Sequence, residues 1–345
     1  MRNLITDVAG LSVGNAQDET LASGVTVVAF DAPAIASIAI HGGAPALRDA
    51  ALLEPGFTVE SVDALTLAGG SVFGLDAMGG AIAFLRAEGR GFPVGDVRVP
   101  IVPGAALFDL LNGGDKSFSD AVYWRLGFSA AKAAADTFTL GTAGAGYGAT
   151  TANLKGGLGS ASAVTSGGYV VGALVAVNAV GSATVSDGPH FWASPYEKGA
   201  EFGGLGCPAV WPEADFQIKG VEPANTTIAV VATDAALTRA EAKRLAVMAH
   251  DGMGRALRPS HAAMDGDTVF SAATARAQRA PSLLDIAEIG TLAADCLARA
   301  IARGVFEATA PPSQDGPPSW RRIFGGAGGS GGTSGAHLSR RPDPI

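Results

Sequence analysis

Short apolar runs recur along the chain: Gly24–Phe30 (GVTVVAF), Ile35–Ile40 (IASIAI), Ala64–Ala68 (ALTLA), Tyr169–Val177 (YVVGALVAV) and Thr227–Ala232 (TIAVVA). Rich in Val and Ile and bounded by turn formers, they predict strands buried on both faces. Between them the apolar positions step by three and four. Leu75, Met78, Ile82 and Leu85 mark a helix over Ser71–Glu88, and Ser119–Ala135 reads as a second. Thr238-Arg239-Ala240-Glu241 has the form of a capping box, and Leu245, Met248 and Met253 continue its helix. Ser282-Leu283-Leu284-Asp285 opens another, which Gly304 would end as a left-handed cap. Strands and helices in comparable number, without regular βαβ alternation, predict a layered α/β architecture.

Gly156–Ser186 contains no charged residue. Ser, Thr, Asn178 and repeated Gly interrupt it, whereas a spanning helix needs about 20 predominantly apolar residues. It predicts a buried strand pair and no membrane association. From Pro311 the sequence turns to PPSQDGPPSW and then GGAGGSGGTSGAHLSRRPDPI, which cannot bury enough apolar area to offset its ordering entropy. A single domain over 1–310 with a flexible tail over 311–345 is expected.

Composition narrows the function. The 345 residues are 48% apolar and only 16% charged, with 48 Gly, which implies layers whose backbones approach closely. A formal charge of −8 and no basic run exclude nucleic acid as a partner. Cys207 and Cys296 have no metal or redox spacing, and MRNLITDVAG lacks the apolar core of a signal peptide. A cytoplasmic protein in a reducing compartment is expected.

Several motifs carry candidate chemistry. Gly10-Leu11-Ser12-Val13-Gly14 matches G-x-S-x-G, but no helix start follows it, so it reads as a turn. Gly144-Ala145-Gly146-Tyr147-Gly148 is glycine-rich without a complete phosphate-loop pattern, so it reads as close backbone approach at a pocket wall. His41, His190, His250, His261 and His337 are scattered with no ligand spacing, so no metal or other cofactor is expected. In Met264-Asp265-Gly266-Asp267-Thr268 two acids flank a glycine. This is either a solvated turn or a coupled pair in which one carboxyl has a raised pKa.

Pro223-Ala224-Asn225-Thr226-Thr227 runs straight into an apolar strand. A threonine hydroxyl is a weak nucleophile unless a base stands beside it, and an N-terminal Thr carries its own base, an α-amine of pKa about 7.7–8.0. An internal Thr reaches that state only if the preceding peptide bond breaks: the hydroxyl attacks the Asn225 carbonyl, the acyl group shifts from nitrogen to oxygen, and water releases it. On local chemistry alone, an ordinary loop-to-strand join is the favoured reading of the stretch.

Residues 5–305 resemble a family of self-cleaving aminopeptidases and amidases: the DmpA-like L-aminopeptidase/D-esterases, the β-aminopeptidases and the nylon-oligomer endohydrolases. The resemblance rests on VAGLSVGNA, HGGAPALRD, LAGGSVFGLDAMGG, GFPVGDVRVPIVPGAALFDL, GTAGAGYGATTANLKGGLGSAS, VAVNAVG and the long collinear segment from NTTIAVVATD to MDGDTVFSAAT. It implies a four-layer αββα sandwich of the N-terminal-nucleophile type, cut between Asn225 and Thr226 into fragments 1–225 and 226–345. It further implies Thr226 as nucleophile, Asp265 and Asp267 as orienting and proton-transfer groups, and Asn178 as a contact to the oxyanion or substrate carbonyl. The Asn–Thr junction is closest to the nylon-oligomer branch. Two departures concern the pocket expected around Phe108, Tyr147, Asn153 and Lys155: Asn153 stands where that branch has a lysine, for which Lys155 is the candidate substitute, and Phe108 stands where it has a tyrosine. The implied activity is hydrolysis of short peptides or amides, with 6-aminohexanoate oligomers as a second substrate class. The implied assembly is a homo-oligomer, a tetramer of processed pairs. An acyltransferase using the same Thr, or a scaffold that never matures, are the alternatives.

Overall fold

The computed structural model describes residues 1–118, 120–212, 216–220, 225–310 and 316–325. In chain order the strands are β1 (Leu11–Asp18), β2 (Ser23–Ile40), β3 (Ala46–Arg48), β4 (Ser61–Ala68), β5 (Phe92–Val94), β6 (Val97–Val99), β7 (Gly104–Ala106), β8 (Gly157–Val164), β9 (Val170–Asn178), β10 (Thr226–Thr233) and β11 (Thr268–Ala273). The α-helices are α1 (Ala77–Ala87), α2 (Val122–Lys132), α3 (Arg239–Ala249), α4 (Asp251–Ala256), α5 (Leu283–Phe306) and α6 (Trp320–Phe324).

The strands follow the order β3-β7-β4-β2-β11-β10-β9-β8, with β1 also on β2 and β5–β6 apart as a hairpin. β2 is long enough to belong to two layers. Its pairing with β4 shifts register between Ala29 and Ala34, across the exposed Asp31-Ala32-Pro33. Before the shift it lies against β1 and β4; after it, against β11 and, at Ala34 and Ile35, still against β4.

Strand alternation sorts the core into three slabs. Val25, Val27 and Ala29 of β2 join Met78 and Leu85 of α1 and Leu126 and Ala130 of α2. Val28 and Phe30 face a middle slab with Ile228 and Val230 of β10 and Phe270 of β11. Ala229 and Val231 of β10 face the opposite way, onto Leu245 of α3, Met253 of α4 and Leu297 of α5. Helix, sheet, sheet, helix is therefore the order of layers, as the family resemblance implies.

Several expectations are corrected. The runs at 24–30 and 35–40 are one strand, because an exposed Pro-containing bend interrupts the apolar pattern without ending the pairing. Gly10–Gly14 leads into a strand rather than forming a turn: Ser12 pairs with Ala29. Met253 lies on the separate helix α4. The helix expected from Ser71 begins as a 3-10 turn over Ser71–Asp76, and the one expected from Ser119 runs over α2; Ser119 itself lies outside the described residues.

Gly304 does not cap α5, which continues to Phe306. It is small for packing reasons. A Cβ on Gly159 of β8 would stand 1.8 Å from the Ala300 carbonyl oxygen, and one on Gly157 would stand 2.3 Å from that of Gly304. Helix and strand meet backbone to backbone, a contact only glycines allow.

Residues 316–325 of the expected flexible tail are ordered. Ser319 caps α6 by accepting from the Arg322 N–H. Trp320 is buried, stacks on Phe191 and donates Nε1–H to the Pro189 carbonyl at 3.0 Å. The rest of the expected tail, 311–315 and 326–345, lies outside the described residues. Gly156–Ser186 does form the expected strand pair, β8 against β9.

Candidate active site

Thr226 opens β10, a strand enclosed by β9 on one side and β11 on the other. The antiparallel register sets Thr226 opposite Asn178, and the parallel register sets Ile228 opposite Thr268. The turn before β11 is thereby brought beside the start of β10. A Cβ on Gly266 would lie 2.6 Å from Thr226 Oγ1 and 2.9 Å from its Cγ2, so the Thr226 side chain rests directly on the glycine between the two acids. Its hydroxyl donates to the carbonyl oxygen of Asn225. Asn225 is itself buried, and neither side-chain polar atom finds a partner. Each such orphan costs about 1–3 kcal/mol.

The two acids differ in their environments. Asp267 Oδ1 accepts from the Thr227 N–H at 3.0 Å, and Oδ2 accepts from the His261 N–H at 2.8 Å and from its ring Nδ1 at 2.9 Å. Burial alone would raise its pKa, but the His261 bonds outweigh burial and hold Asp267 below the usual carboxylate range. Asp265 accepts from the backbone N–H groups of Gly266, at 3.0 Å, and Val180, and its Oδ2 is buried without a donor among the described residues. Burial first, and then the Asp267 charge, push its pKa well up. At neutral pH the pair therefore holds one proton, on Asp265. Of the two readings of Asp265-Gly266-Asp267, the coupled pair is the one present; both acids are buried.

Across the strand, Asn178 Oδ1 accepts from the Thr150 N–H and from Lys219 Nζ, both at 3.0 Å, while Nδ2 donates to the Phe108 carbonyl at 2.9 Å. Lys219 also reaches the Thr150 carbonyl at 3.3 Å. Burial lowers its pKa to about 8, against the pull of Asp265 and Asp109. Next to it opens a cavity of about 380 Å³ lined by Phe108, Asp109, Leu111, Asn112, Lys219 and Pro317 among others. Asp109 is buried and accepts from Ser23 Oγ and the Gly70 N–H, both at 2.7 Å, while burial raises its pKa. A threonine hydroxyl, a buried acid pair, an amide and a cation are thus gathered around the start of β10.

A family model, Peptidase family S58, matches residues 3–317. The chain belongs to peptidase family S58. An uncharacterized aminopeptidase of Mycobacterium tuberculosis is 40% identical over 351 residues, covering 95% of this chain and 100% of the relative. A 6-aminohexanoate-oligomer endohydrolase of Agromyces sp. is 28% identical over 281 residues, covering 78% of this chain and 74% of the relative. Among solved structures, a beta-aminopeptidase of Burkholderia sp. superposes with a TM-score of 0.67 at 20% identity, covering 96% of each chain. An L-aminopeptidase D-Ala-esterase/amidase of Ochrobactrum anthropi gives 0.65 at 19% identity, covering 94% of this chain and 93% of that one. The latter is described as a variant of the Ntn hydrolase fold, and the layers found here match it.

Within this S58 fold the four residues expected around the pocket separate. Phe108 lines the cavity. Lys155 does not reach it: the side chain is fully buried, with Nζ donating to the carbonyls of Gly146, Ala149 and Gly156 at 3.1, 2.7 and 3.0 Å. It staples the glycine-rich loop, and burial lowers its pKa to about 7. Asn153 is bound to Ser182 and Thr184. Tyr147 is half-buried next to the loop's 3-10 turn, Gly144–Gly146, and away from the cavity lining. The loop does make the close approach expected of it: a Cβ on Gly148 would lie 2.4 Å from both Asp109 Oδ2 and Asn112 Nδ2.

Sequence reasoning missed Lys219 and Asp109. Lys219 stands alone in an irregular segment, so no spacing could have pointed to it. Asp109 is the residue after Phe108, and a lone acid in an apolar stretch is the one signal it gives. Of the histidines, which have no ligand spacing in sequence, His41, His250 and His261 bring one ring nitrogen each to within 4.8 Å of the others.

Proposed function

We propose that this S58 member is an amide hydrolase made as a precursor and matured by its own Thr226, and that it acts as an aminopeptidase on short peptides or amides in the cytoplasm. The observation that carries the reading is the seat of Thr226: its hydroxyl on the Asn225 carbonyl, its side chain on Gly266, Asn178 across the strand. In maturation Thr226 Oγ1 bonds to the Asn225 carbonyl carbon. The hydroxyl proton passes to the Thr226 nitrogen as the C–N bond breaks, and water then hydrolyses the ester. The products are a carboxylate on Asn225 and a free amine on Thr226. In turnover that amine takes the Oγ1 proton as Oγ1 bonds to the substrate carbonyl carbon, the proton passes to the departing amine as the C–N bond breaks, and a second water hydrolyses the ester to release the acid and restore Thr226.

Asp267 fixes the Thr227 N–H, and so the start of β10, while protonated Asp265 supplies a proton donor. Asn178 and Lys219 face the charge that develops on the carbonyl oxygen. One well-aimed donor of this kind contributes a few kcal/mol, roughly 10²–10³ in rate. Lys219 takes the place that Asn153 leaves without a cation. The similarity to 6-aminohexanoate-oligomer hydrolases supports linear ω-amino amides as a second substrate class. Two free cysteines agree with a reducing compartment, and among the described residues no helix is long and apolar enough to cross a membrane. The exposed Phe92, Val94, Val97 and Val99 on the β5–β6 hairpin support a homo-oligomer, a tetramer of processed pairs.

Intact mass spectrometry of the purified protein tests the core of this. Wild type is expected as fragments 1–225 and 226–345 with amidase activity. Thr226→Ala is expected as one full-length chain with none. Active wild type of unbroken mass would overturn the assignment.

A further inference from the structure

We propose that His41, His250 and His261 form a binding site for a divalent metal ion of the zinc class, one hydrogen bond from Asp267. The three rings each bring one nitrogen to within 4.8 Å of the others, so that turning the exposed His41 out of its stack on His250 would complete the set. His250 is buried, and its Nε2 lies 2.9 Å from the Ala39 carbonyl oxygen, so Nε2 carries the proton and Nδ1 the lone pair. That Nδ1 is buried without any partner. His261 Nδ1 lies 2.9 Å from the Asp267 carboxylate, so it too is the protonated nitrogen, and Nε2 keeps the lone pair. A ligating histidine characteristically donates its second ring N–H to a carbonyl or a carboxylate, which fixes its tautomer. Both patterns are present before any ion binds. His41 stacks on His250 at 3.8 Å between ring centroids and is exposed, which opens the cluster to solvent.

The distances can accommodate a cation. Tetrahedral ligands at about 2.1 Å from an ion stand about 3.4 Å apart. The nitrogens must therefore close by up to about 1.4 Å, which rotation of the exposed His41 side chain can supply. The fourth position is left to water.

Cobalt(II) is the probe. Full-length protein freed of metal by a chelator is titrated with Co²⁺ and followed in the visible region, with Zn²⁺ added afterwards as competitor. One equivalent per chain is expected, with a tetrahedral-type band that Zn²⁺ bleaches and a rise in unfolding temperature. His41→Ala, at an exposed position, should weaken binding about tenfold or more while keeping the wild-type circular dichroism spectrum. His261→Ala should do the same. His337→Ala, outside the described residues, should bind as wild type does, and so should Thr226→Ala, which separates this inference from the one on maturation. No saturable band, or a band unchanged in His41→Ala and His261→Ala, would overturn it.

Discussion

Thr226 has space for its own methyl and hydroxyl and for nothing further on the Gly266 side. Because a Cβ there would fall 2.6 Å from Oγ1, Gly266→Ala is expected to push the hydroxyl off the Asn225 carbonyl. A displacement of about 1 Å at a reacting atom can cost on the order of 10² in rate. The persistence of full-length chain, timed by electrophoresis after synthesis, reads that delay. Lys219 gives a second residue-scale test. Its pKa is lowered to about 8, so the cation is present below that value and lost as pH rises through it. Activity should fall on the alkaline side with a midpoint near 8. Lys219→Met should remove that limb and lower kcat by roughly 10²-fold, as a pH–rate profile would record. Thr226 and the Asp265/Asp267 pair were singled out by the family resemblance, since the local chemistry of each stretch alone favours a loop-to-strand join and a solvated turn; the structure brings Thr226 onto the glycine between the two acids. Lys219 was not singled out, since only the fold brings an isolated lysine beside Asn178. Nearness to Asn153 in sequence points to Lys155, but the glycine-rich loop wraps its ammonium instead.

Elements were legible where their signals are local. The Thr238–Glu241 and Ser282–Asp285 capping boxes mark the starts of α3 and α5, each with the cap side chain and the acid reciprocally bonded. Ends were less legible. Gly304 looks like a terminator in sequence and is in fact a packing surface, because its smallness serves β8 rather than the helix's own backbone. α6 was hidden for the converse reason. Its surroundings are Pro- and Gly-rich, and one Trp outweighs them by filling a slot against Phe191 and Phe306. Truncating a buried aromatic to Ala typically costs about 3–5 kcal/mol. Trp320→Ala should lose that much stability in urea unfolding of the uncleaved Thr226→Ala background, and trypsin should then cut at Arg321 and Arg322.

At the scale of the molecule, layering was legible from runs buried on both faces, but strand order was not, because nothing local says which neighbour a strand selects. That order matters most at β10 and β11. In the path β4-β2-β11-β10-β9 they are flanked on both sides by strands that precede Thr226 in the chain. Six residue pairs join β11 to β2 and eight join β10 to β9. Cutting at Asn225–Thr226 therefore releases nothing under native conditions: the two products are expected to co-elute in gel filtration and to part only in denaturant.

The interleaving also changes what kind of equilibrium unfolding is. An intact polypeptide falls apart and reassembles alone, at a rate indifferent to dilution, whereas two separate polypeptides must first meet. Maturation would thus turn self-contained refolding into a second-order encounter. Hundredfold dilution should depress the melting temperature of the severed enzyme and leave Thr226→Ala where it was. The wedge that keeps the halves together in life would make their separation, once it has happened in dilute solution, close to a one-way event.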